Sequence, residues 1–373
     1  TEFELFSKNT TTFVALFFDR AIKCMKRNLI YILLFSFYSL SAQIPTGYYN
    51  AAVGKTEAAL KTALASVVGT HTERTYSQLW TDFEQTDKRA DGKVWDMYSN
   101  CTFIFGINQD KGTGGTAECQ LYNREHSMPN SWFSKAYPMY SDLFHMYPTD
   151  KYVNNQRDNF PFGETTSGTV FGNGSKLGSS SFSGYTGTVF EPINEYKGDF
   201  ARTYFYMVTA YDDKVATWVS DQLAGNQYPA LSTWSVALFL RWNSMDRVSD
   251  KETNRNEAVY GIQGNRNPFI DHSELAEFIW GSRKGEPWSL TSAVDDLKID
   301  FTLSPNPVRN QLTISSDEPD LSYSIFNLNG QLLQENDLYG TQVISVDNLN
   351  NGMYLIQVKS GNRRTVQKFI VSH

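Results

Sequence analysis

Residues that could carry out metal-assisted hydrolysis are concentrated in two neighbouring segments of the chain. Glu125 and His126 are adjacent in the first segment, and Asn154 and Arg157 share one face of a predicted short helix in the second. Carboxylate and amide oxygens suit Mg²⁺, and a guanidinium binds phosphate oxygens in a planar fork. Together with a histidine base, the set provides what phosphodiester hydrolysis requires: a base, a metal and a phosphate clamp.

Each of these residues also has a simpler explanation when it is taken alone. A single histidine more often completes a hydrogen bond in a core than performs catalysis, and an asparagine on a capped helix often serves as a cap. Zinc is an alternative metal for Glu125, His126 and His145, although the Cys/His spacing of structural zinc sites is absent from the sequence. The combination, and no single residue, therefore indicates a site.

The size and charge of the chain limit the class of protein. It has 373 residues and a mass of 42.4 kDa, which predicts two domains or three. The formal net charge is −7 and the pI is about 5.4. This acidic balance argues against a protein that coats nucleic acid by electrostatics alone. A local cleft could still bind a polyanion.

The N-terminal sequence is typical of a secretory leader. From Met25 a short basic region precedes an apolar run from Leu29 to Leu40 and the small residue Ala42. We therefore expect a signal peptide over residues 25–42, and we expect residues 1–24 to be translated from upstream of the true start. The alternative is an N-terminal membrane anchor, although the apolar run is shorter than the roughly 20 residues of a membrane span.

Export would leave one pair of cysteines, Cys101 and Cys119, in an oxidising location. A disulfide between them is one prediction, and two buried free thiols are the alternative. The disulfide would add roughly 3 kcal/mol to the stability by closing the intervening loop.

Composition divides the remaining chain into two domains joined by a linker. Residues 43–285 combine helical periodicity with Gly- and Asn-rich loops. The helices predicted there are residues 51–68, 200–211 and 234–242. A polar linker over residues 286–300 leads to residues 301–373, where short alternating strands separated by turns predict a small β-sandwich.

Four short motifs in the C-terminal domain carry a resemblance to a known family. They are Ser304-Pro305-Asn306-Pro307-Val308, Asn329-Gly330, Gly352-Met353-Tyr354 and Lys368-Phe369-Ile370-Val371. This part of the chain resembles the C-terminal sorting domain of the Bacteroidetes type IX secretion system. The resemblance implies that residues 301–373 bind the type IX secretion machinery, and that the protein is released or held on the outer surface of the cell. A carbohydrate-binding or adhesive sandwich is the alternative.

Motifs along residues 43–285 carry a second resemblance. They include Asn123-Arg124-Glu125-His126, Pro148-Thr149-Asp150, Val153-Asn154-Asn155, Gly198-Asp199-Phe200-Ala201-Arg202 and Gln263-Gly264-Asn265-Arg266-Asn267-Pro268. Together they resemble the bacterial endonuclease I family, whose members are secreted or periplasmic nucleases. The fold class that this implies is α+β: a ββα-metal nuclease domain followed by a small all-β sandwich.

The resemblance also implies a role for each residue of the candidate site. His126 is the general base, with a pKa of about 6.5 if it is unperturbed. Glu125 and Asn154 bind Mg²⁺, with Mn²⁺ or Ca²⁺ as alternatives. Arg157 is assigned to contact with the scissile phosphate. The expected products carry 5′-phosphate and 3′-hydroxyl ends.

A further group of residues is predicted to contact the substrate. It consists of Arg124, His145, Arg202 and Arg266. For Arg202 and Arg266 the alternative is a buried position that holds the fold. Phe144 departs from the family pattern, because the family often has a histidine at that position, directly before His145.

These expectations describe a secreted endonuclease that cuts DNA and has no sequence preference, and the sequence leaves the choice between DNA and RNA open. Two other classes stay open: a cell-surface nucleic-acid-binding module without catalysis, and a metal-dependent phosphodiesterase that acts on another substrate. The sequence indicates no stable protein partner apart from the secretion machinery, and we expect a monomer.

Overall fold

The structure, a computed structural model, describes residues 44–290, 299–318, 321–360 and 363–373. The segment predicted to be translated from upstream, 1–24, and the predicted signal peptide, 25–42, lie outside the described residues. Within the described part of the chain, every helix is too short or too polar to cross a membrane.

The domain that begins at Tyr49 is mainly helical, with a few short strands. Its described helices are α1 (Glu57–Val68), α2 (Leu79–Thr86), α3 (Lys151–Arg157), α4 (Lys197–Ala210), α5 (Thr233–Met245), α6 (Asp250–Gln263), α7 (Pro268–Asp271) and α8 (Leu275–Ile279). Its described strands are β1 (Tyr122–His126), β2 (Met146–Asp150), β3 (Thr169–Val170), β4 (Lys176–Ser179) and β5 (Thr188–Glu191). Every residue of α4 is buried, and this helix packs against α1, α5 and α7. A helix that is enclosed on all sides forms the centre of the core, which agrees with the aromatic segment predicted there.

Strands β1 and β2 pair in antiparallel fashion and carry the candidate site. Glu125 lies opposite Tyr147, and His126 lies opposite Met146. Strand β2 leads directly into α3, which packs against both strands. The ββα unit implied by the resemblance is therefore present, and it places Asn154 on a helix beside the strand that ends in Glu125 and His126.

The junction between β2 and α3 is fixed by one carboxylate. Asp150 Oδ1 accepts hydrogen bonds from the backbone N–H groups of Tyr152 (2.8 Å) and Val153 (3.1 Å), which caps the N-terminus of the helix. Asp150 Oδ2 accepts a third from the backbone N–H of Cys119 (2.7 Å). Cys119 is joined to Cys101 by a disulfide, with their Cα atoms 5.0 Å apart. The disulfide-linked loop is thus held against the residue that starts α3.

The connection between the two domains is shorter than the predicted linker, 286–300. Trp288 is fully buried, and its backbone accepts a hydrogen bond from Gly54 N (2.7 Å) and donates one to Lys55 O (3.0 Å). At the other end, Ile299 is fully buried in the core of the C-terminal domain. Both residues therefore belong to the folded domains, because burial of apolar surface outweighs the polar composition of the sequence around them.

Two truncated proteins test this boundary. A protein ending at Leu290 should fold as stably as the intact N-terminal domain, whereas one ending at Gly285 should lose about 3–5 kcal/mol, the usual cost of removing a buried tryptophan side chain. Chemical denaturation followed by circular dichroism measures both free energies of unfolding. Equal stability of the two proteins would place Trp288 outside the core.

Within its described residues, the C-terminal domain contains strands and no helix. Its described strands are β6 (Thr302–Ser304), β7 (Gln311–Ser315), β8 (Leu321–Phe326), β9 (Leu332–Leu338), β10 (Thr341–Ser345), β11 (Gly352–Ser360) and β12 (Arg363–Val371). They form two antiparallel sheets, in the orders β10-β7-β6 and β12-β11-β8-β9. Along β11, the side chains of Tyr354, Ile356 and Val358 alternate into the core. This is the pattern of a strand with one buried face, and it agrees with the predicted sandwich.

Candidate active site

A pocket of about 250 Å³ opens where β1 meets α3. Its lining residues are Tyr76, Arg124, Glu125, His126, Pro129, Asn130, Asn154, Asn155, Asp158 and Asn159. The structure therefore brings together Glu125, His126 and Asn154, which are predicted from two separate segments of the sequence. Most of the other lining side chains are polar, as expected of a site that binds an ion or a charged substrate.

Both ring nitrogens of His126 have a partner on the segment that follows β1. Nε2 lies 3.0 Å from the backbone oxygen of Tyr140, and Nδ1 lies 3.1 Å from the side-chain nitrogen of Asn130. A carbonyl oxygen can only accept, so Nε2 carries the hydrogen and Nδ1 presents its lone pair. The ring is therefore held as the tautomer whose basic nitrogen is Nδ1.

The surroundings of His126 keep the imidazole neutral. The ring is stacked against Tyr140 at 4.8 Å and Tyr76 at 5.7 Å between centroids, and only 7% of the residue is exposed. Burial lowers the pKa of His126 to about 3, and nearby His145 adds to the effect. The pKa therefore lies below the unperturbed value of about 6.5, because the ring is enclosed by protein and little of it meets water.

Glu125 is a buried carboxylate held from one side. Tyr98 Oη donates to Oε1 at 2.7 Å, and Arg157 Nη1 donates to the same oxygen at 2.8 Å. Burial raises the pKa of Glu125, and the Arg157 guanidinium opposes that rise. Because both donors bind Oε1, Oε2 has no side-chain donor among the described residues.

Arg157 does not lie where the sequence analysis assigned it. It is only 1% exposed, and besides Glu125 it donates to the backbone oxygens of His126 (3.0 Å) and Ser127 (2.7 Å). These acceptors take donors of both terminal nitrogens, Nε–H is buried without a partner, and Arg157 is absent from the pocket lining, so it cannot reach a phosphate there. Its contacts are those of a residue that positions Glu125 from beneath the site.

The amide of Asn154 is oriented by a neighbour on β1. Asn154 Nδ2 donates to Asn123 Oδ1 at 2.8 Å, which leaves Asn154 Oδ1 as the free acceptor. A carboxylate oxygen and an amide oxygen without side-chain donors among the described residues, at one polar pocket, are the ligand types that a hard divalent cation prefers. The residues present therefore fit the Mg²⁺ site that the sequence analysis predicts on Glu125 and Asn154.

Arg124 is the substrate-contact candidate that the structure places at the pocket. Its guanidinium lies over the rings of Tyr76 (3.6 Å) and Trp80 (4.3 Å), and Nη1 donates to Tyr76 O at 2.7 Å. Stacking and one hydrogen bond fix the plane of the guanidinium while its other N–H groups have no acceptor among the described residues. A cation prepared in this way suits a phosphate oxygen.

The other three substrate-contact candidates are buried and do not line the pocket. Arg202 is paired with Glu252 at 2.5 and 2.8 Å, and Arg266 with Asp271 at 2.7 and 2.9 Å. His145 is fully buried behind His126, with Nε2 donating to the Met139 backbone oxygen. Arg202 and Arg266 take the alternative position foreseen for them, because arginines removed from water need the anionic partners found here.

The ion-pair cluster around Arg202 contains a carboxylate with an unusual pKa. Burial raises the pKa of Asp246 to about 7, and the nearby Asp199 carboxylate adds to the rise. The folded protein therefore binds more protons than the unfolded chain between about pH 4 and about pH 7, so stability falls as the pH rises through this window.

Asp246→Asn should remove this pH dependence. The amide oxygen can still accept from Gly198 N, as Asp246 does at 2.7 Å, but it cannot acquire a charge. We expect the unfolding midpoint to rise by roughly 2–4 °C at about pH 8 and by much less at about pH 5. Differential scanning calorimetry measures both, with the exposed Asp213→Asn as the control that should show neither shift. An unfolding midpoint lower than that of wild type for Asp246→Asn at about pH 8 would contradict the raised pKa of Asp246.

Several residues of the site escaped the sequence analysis. Asn123 and Glu125 are two residues apart on β1 and share one face of the strand, so alternation could have indicated Asn123. Asn130 lies four residues after His126, but no residue beside it in the sequence indicates that the two side chains are in contact. Tyr76 and Tyr98 reach the site from distant loops, and no local pattern points to them.

Two family descriptions match the chain. Endonuclease I matches residues 56–274, which is more than half of the chain, and the secretion system C-terminal sorting domain matches residues 302–372. The second match identifies the β-sandwich as a sorting domain that interacts with the secretion system. It agrees with secretion of the protein to the cell surface or the medium.

Curated relatives cover the same region. The extracellular ribonuclease of Bacillus amyloliquefaciens is 34% identical over 239 residues, which span 62% of this chain and 78% of that protein. The extracellular ribonuclease of Bacillus subtilis (strain 168) is 34% identical over 241 residues, with the same coverage. Endonuclease-1 of Buchnera aphidicola subsp. Baizongia pistaciae is 29% identical over 131 residues, 35% of this chain and 46% of that protein. The chain therefore belongs to the endonuclease I family and is a secreted nuclease.

Proposed function

We propose that the protein hydrolyses the phosphodiester bonds of both DNA and RNA, without sequence preference, with His126 as the general base. The observation that carries this proposal is the tautomer of His126: Nε2–H is bound to Tyr140 O, so Nδ1 is the basic nitrogen, and in the structure its lone pair accepts from Asn130 Nδ2 at the pocket. The relatives support both substrates, since two are named ribonucleases and one is named Endonuclease-1. Contacts to phosphate and metal carry no sequence information.

Glu125 and Asn154 would hold the divalent cation, with Mg²⁺ the first choice and Mn²⁺ or Ca²⁺ the alternatives. When bound, such a cation supplies positive charge that stabilises the attacked phosphate and the leaving oxygen. Tyr98 and Arg157 keep Glu125 in place by donating to Oε1. Asn123 does the same for Asn154 by accepting from its amide nitrogen.

The protein side chains divide the remaining steps between them. His126 Nδ1 accepts a proton from the attacking water, and the resulting imidazolium is stabilised because Nε2–H already donates to Tyr140 O. Arg124 donates its free N–H groups to a phosphate oxygen. The products carry 5′-phosphate and 3′-hydroxyl ends, and the enzyme acts as a monomer.

A cleavage assay on both polymers tests the proposal. Purified protein is incubated with plasmid DNA and, separately, with a long RNA, in the presence of Mg²⁺ or of a chelator. We expect cleavage of both with Mg²⁺ and of neither with chelator, with 5′-phosphate ends that accept ligation. Binding without cleavage would favour the nucleic-acid-binding module, and failure on both polymers with activity on a small phosphodiester would favour the third class.

A further inference from the structure

A row of three tyrosines, the tyrosine wall, leads away from the pocket: Tyr76 lines the pocket, and Tyr140 and Tyr137 follow it. Tyr76 and Tyr140 lie 4.6 Å apart between ring centroids, and both stack on His126. Tyr137 contacts Tyr140 edge to face at 5.4 Å. The tyrosine wall thus extends outward from the base without a break.

Within the wall, the rings differ in how much of their surface is free. Tyr76 is covered on one side by the Arg124 guanidinium at 3.6 Å and on the other by Tyr140 and His126. Tyr140 is likewise enclosed by its neighbours. Tyr137 is 44% exposed, which makes it the member of the wall with a large solvent-facing aromatic surface.

The segment that carries Tyr137 is exposed and positively charged. Residues 134–137 are all exposed, and Lys135 has no ion-pair partner among the described residues. The same segment begins near Asn130 and ends at Tyr140, the two residues that hold the ring of His126. Tyr137 and Lys135 therefore lie on the same stretch of backbone as the two residues that hold the ring of His126.

We propose that Tyr137 is a stacking site for an unpaired base next to the scissile phosphate, and that the enzyme consequently prefers single-stranded nucleic acid to duplex. This rests on the proposed function for the position of the scissile phosphate. The ring centroids of His126 and Tyr140 are 4.8 Å apart, and those of Tyr140 and Tyr137 are 5.4 Å apart. The nucleotide beside the cleaved bond can therefore reach the ring of Tyr137. Every base has a flat face that stacks on an aromatic ring, whereas a base inside a duplex has both faces covered by its neighbours.

Substitution of Tyr137 tests the proposal. Stacking on one aromatic ring contributes about 1–3 kcal/mol per base, which corresponds to roughly five- to 150-fold in kcat/KM. Tyr137→Ala should lower kcat/KM on a fluorogenic single-stranded oligonucleotide by about tenfold and change it by less than about twofold on the same sequence in a duplex. Tyr137→Phe keeps the ring and should match wild type on both. Tyr339→Ala, which removes a 72% exposed tyrosine of the sorting domain, is the matched control and should change neither.

Binding measured without catalysis separates this inference from the proposed function. Fluorescence anisotropy with a single-stranded oligonucleotide of about eight nucleotides, in chelator, should show a Kd about tenfold weaker for Tyr137→Ala than for wild type. A wild-type protein that binds in this way but does not cut would defeat the proposed function alone. Unchanged single-strand binding and cleavage in Tyr137→Ala, or an equal loss on single strand and duplex, would overturn the stacking site.

Discussion

His126→Ala is expected to lower the cleavage rate by at least two orders of magnitude, the usual size of a general-base contribution. The imidazole is neutral at ordinary assay pH because burial lowers its pKa to about 3, so the ring is in the protonation state that the proposed base requires. Loss of the ring removes the one imidazole among the described residues that line the pocket. Single-turnover cleavage of a labelled oligonucleotide at saturating Mg²⁺ measures the effect.

The control for this variant must separate lost chemistry from lost structure. His126 packs against Tyr76 and Tyr140, so its removal leaves a cavity, and thermal unfolding should confirm that the domain stays folded. Added imidazole should restore part of the rate by occupying that space, which a misfolded protein would not allow. A variant that cuts at near wild-type speed would remove His126 from the mechanism.

Glu125→Gln is expected to abolish most activity at millimolar Mg²⁺, by about a hundredfold or more, because it removes the charged ligand of the cation. The substituted amide oxygen can still accept from Tyr98 and Arg157, so the local structure has its best chance of survival. Raising the Mg²⁺ concentration should recover part of the rate. The dependence of kcat/KM on Mg²⁺ concentration is the measurement.

Asp158→Asn provides the matched control. Asp158 lines the same pocket but is exposed, and it has no role in holding the predicted ligands. It should therefore change the Mg²⁺ dependence little. The change in Mg²⁺ dependence for Asn154→Ala should lie between those for Glu125→Gln and Asp158→Asn, since this substitution removes a neutral ligand. Identical Mg²⁺ curves for wild type and Glu125→Gln would show that the carboxylate is not a ligand.

The parts of the site that could be predicted from the sequence are the residues that belong to short motifs. Glu125 and His126 are adjacent, and Asn154 is on a helix that directly follows a strand, so residue type and order suffice to bring them together once the ββα unit is recognised. The long buried helices were similarly predictable from their aromatic composition. Helix α6 was not predicted, because its apolar positions are too few for a clear period.

What could not be predicted depends on partners far apart in the chain. The sequence predicts that Arg157 binds a phosphate. In the structure its terminal nitrogens donate instead to Glu125 and to two backbone oxygens, all about 30 residues earlier in the chain. The partners of Arg202 and the burial of Trp288 are equally non-local. In each case, the role of the side chain depends on an environment that forms only on folding, and the residues next to it in the sequence do not indicate that environment.

The hydrogen bond between Asn130 and His126 places a limit on how the enzyme turns over. An imidazole nitrogen has one lone pair, and in this structure Asn130 Nδ2 lies 3.1 Å from the one on Nδ1. For a water molecule to lose its proton to that nitrogen, it must take the place of the amide. In the proposed mechanism, Asn130 and the nucleophile therefore compete for the same lone pair, so each cycle would include an exchange in which the amide withdraws, the water reacts, and the amide returns.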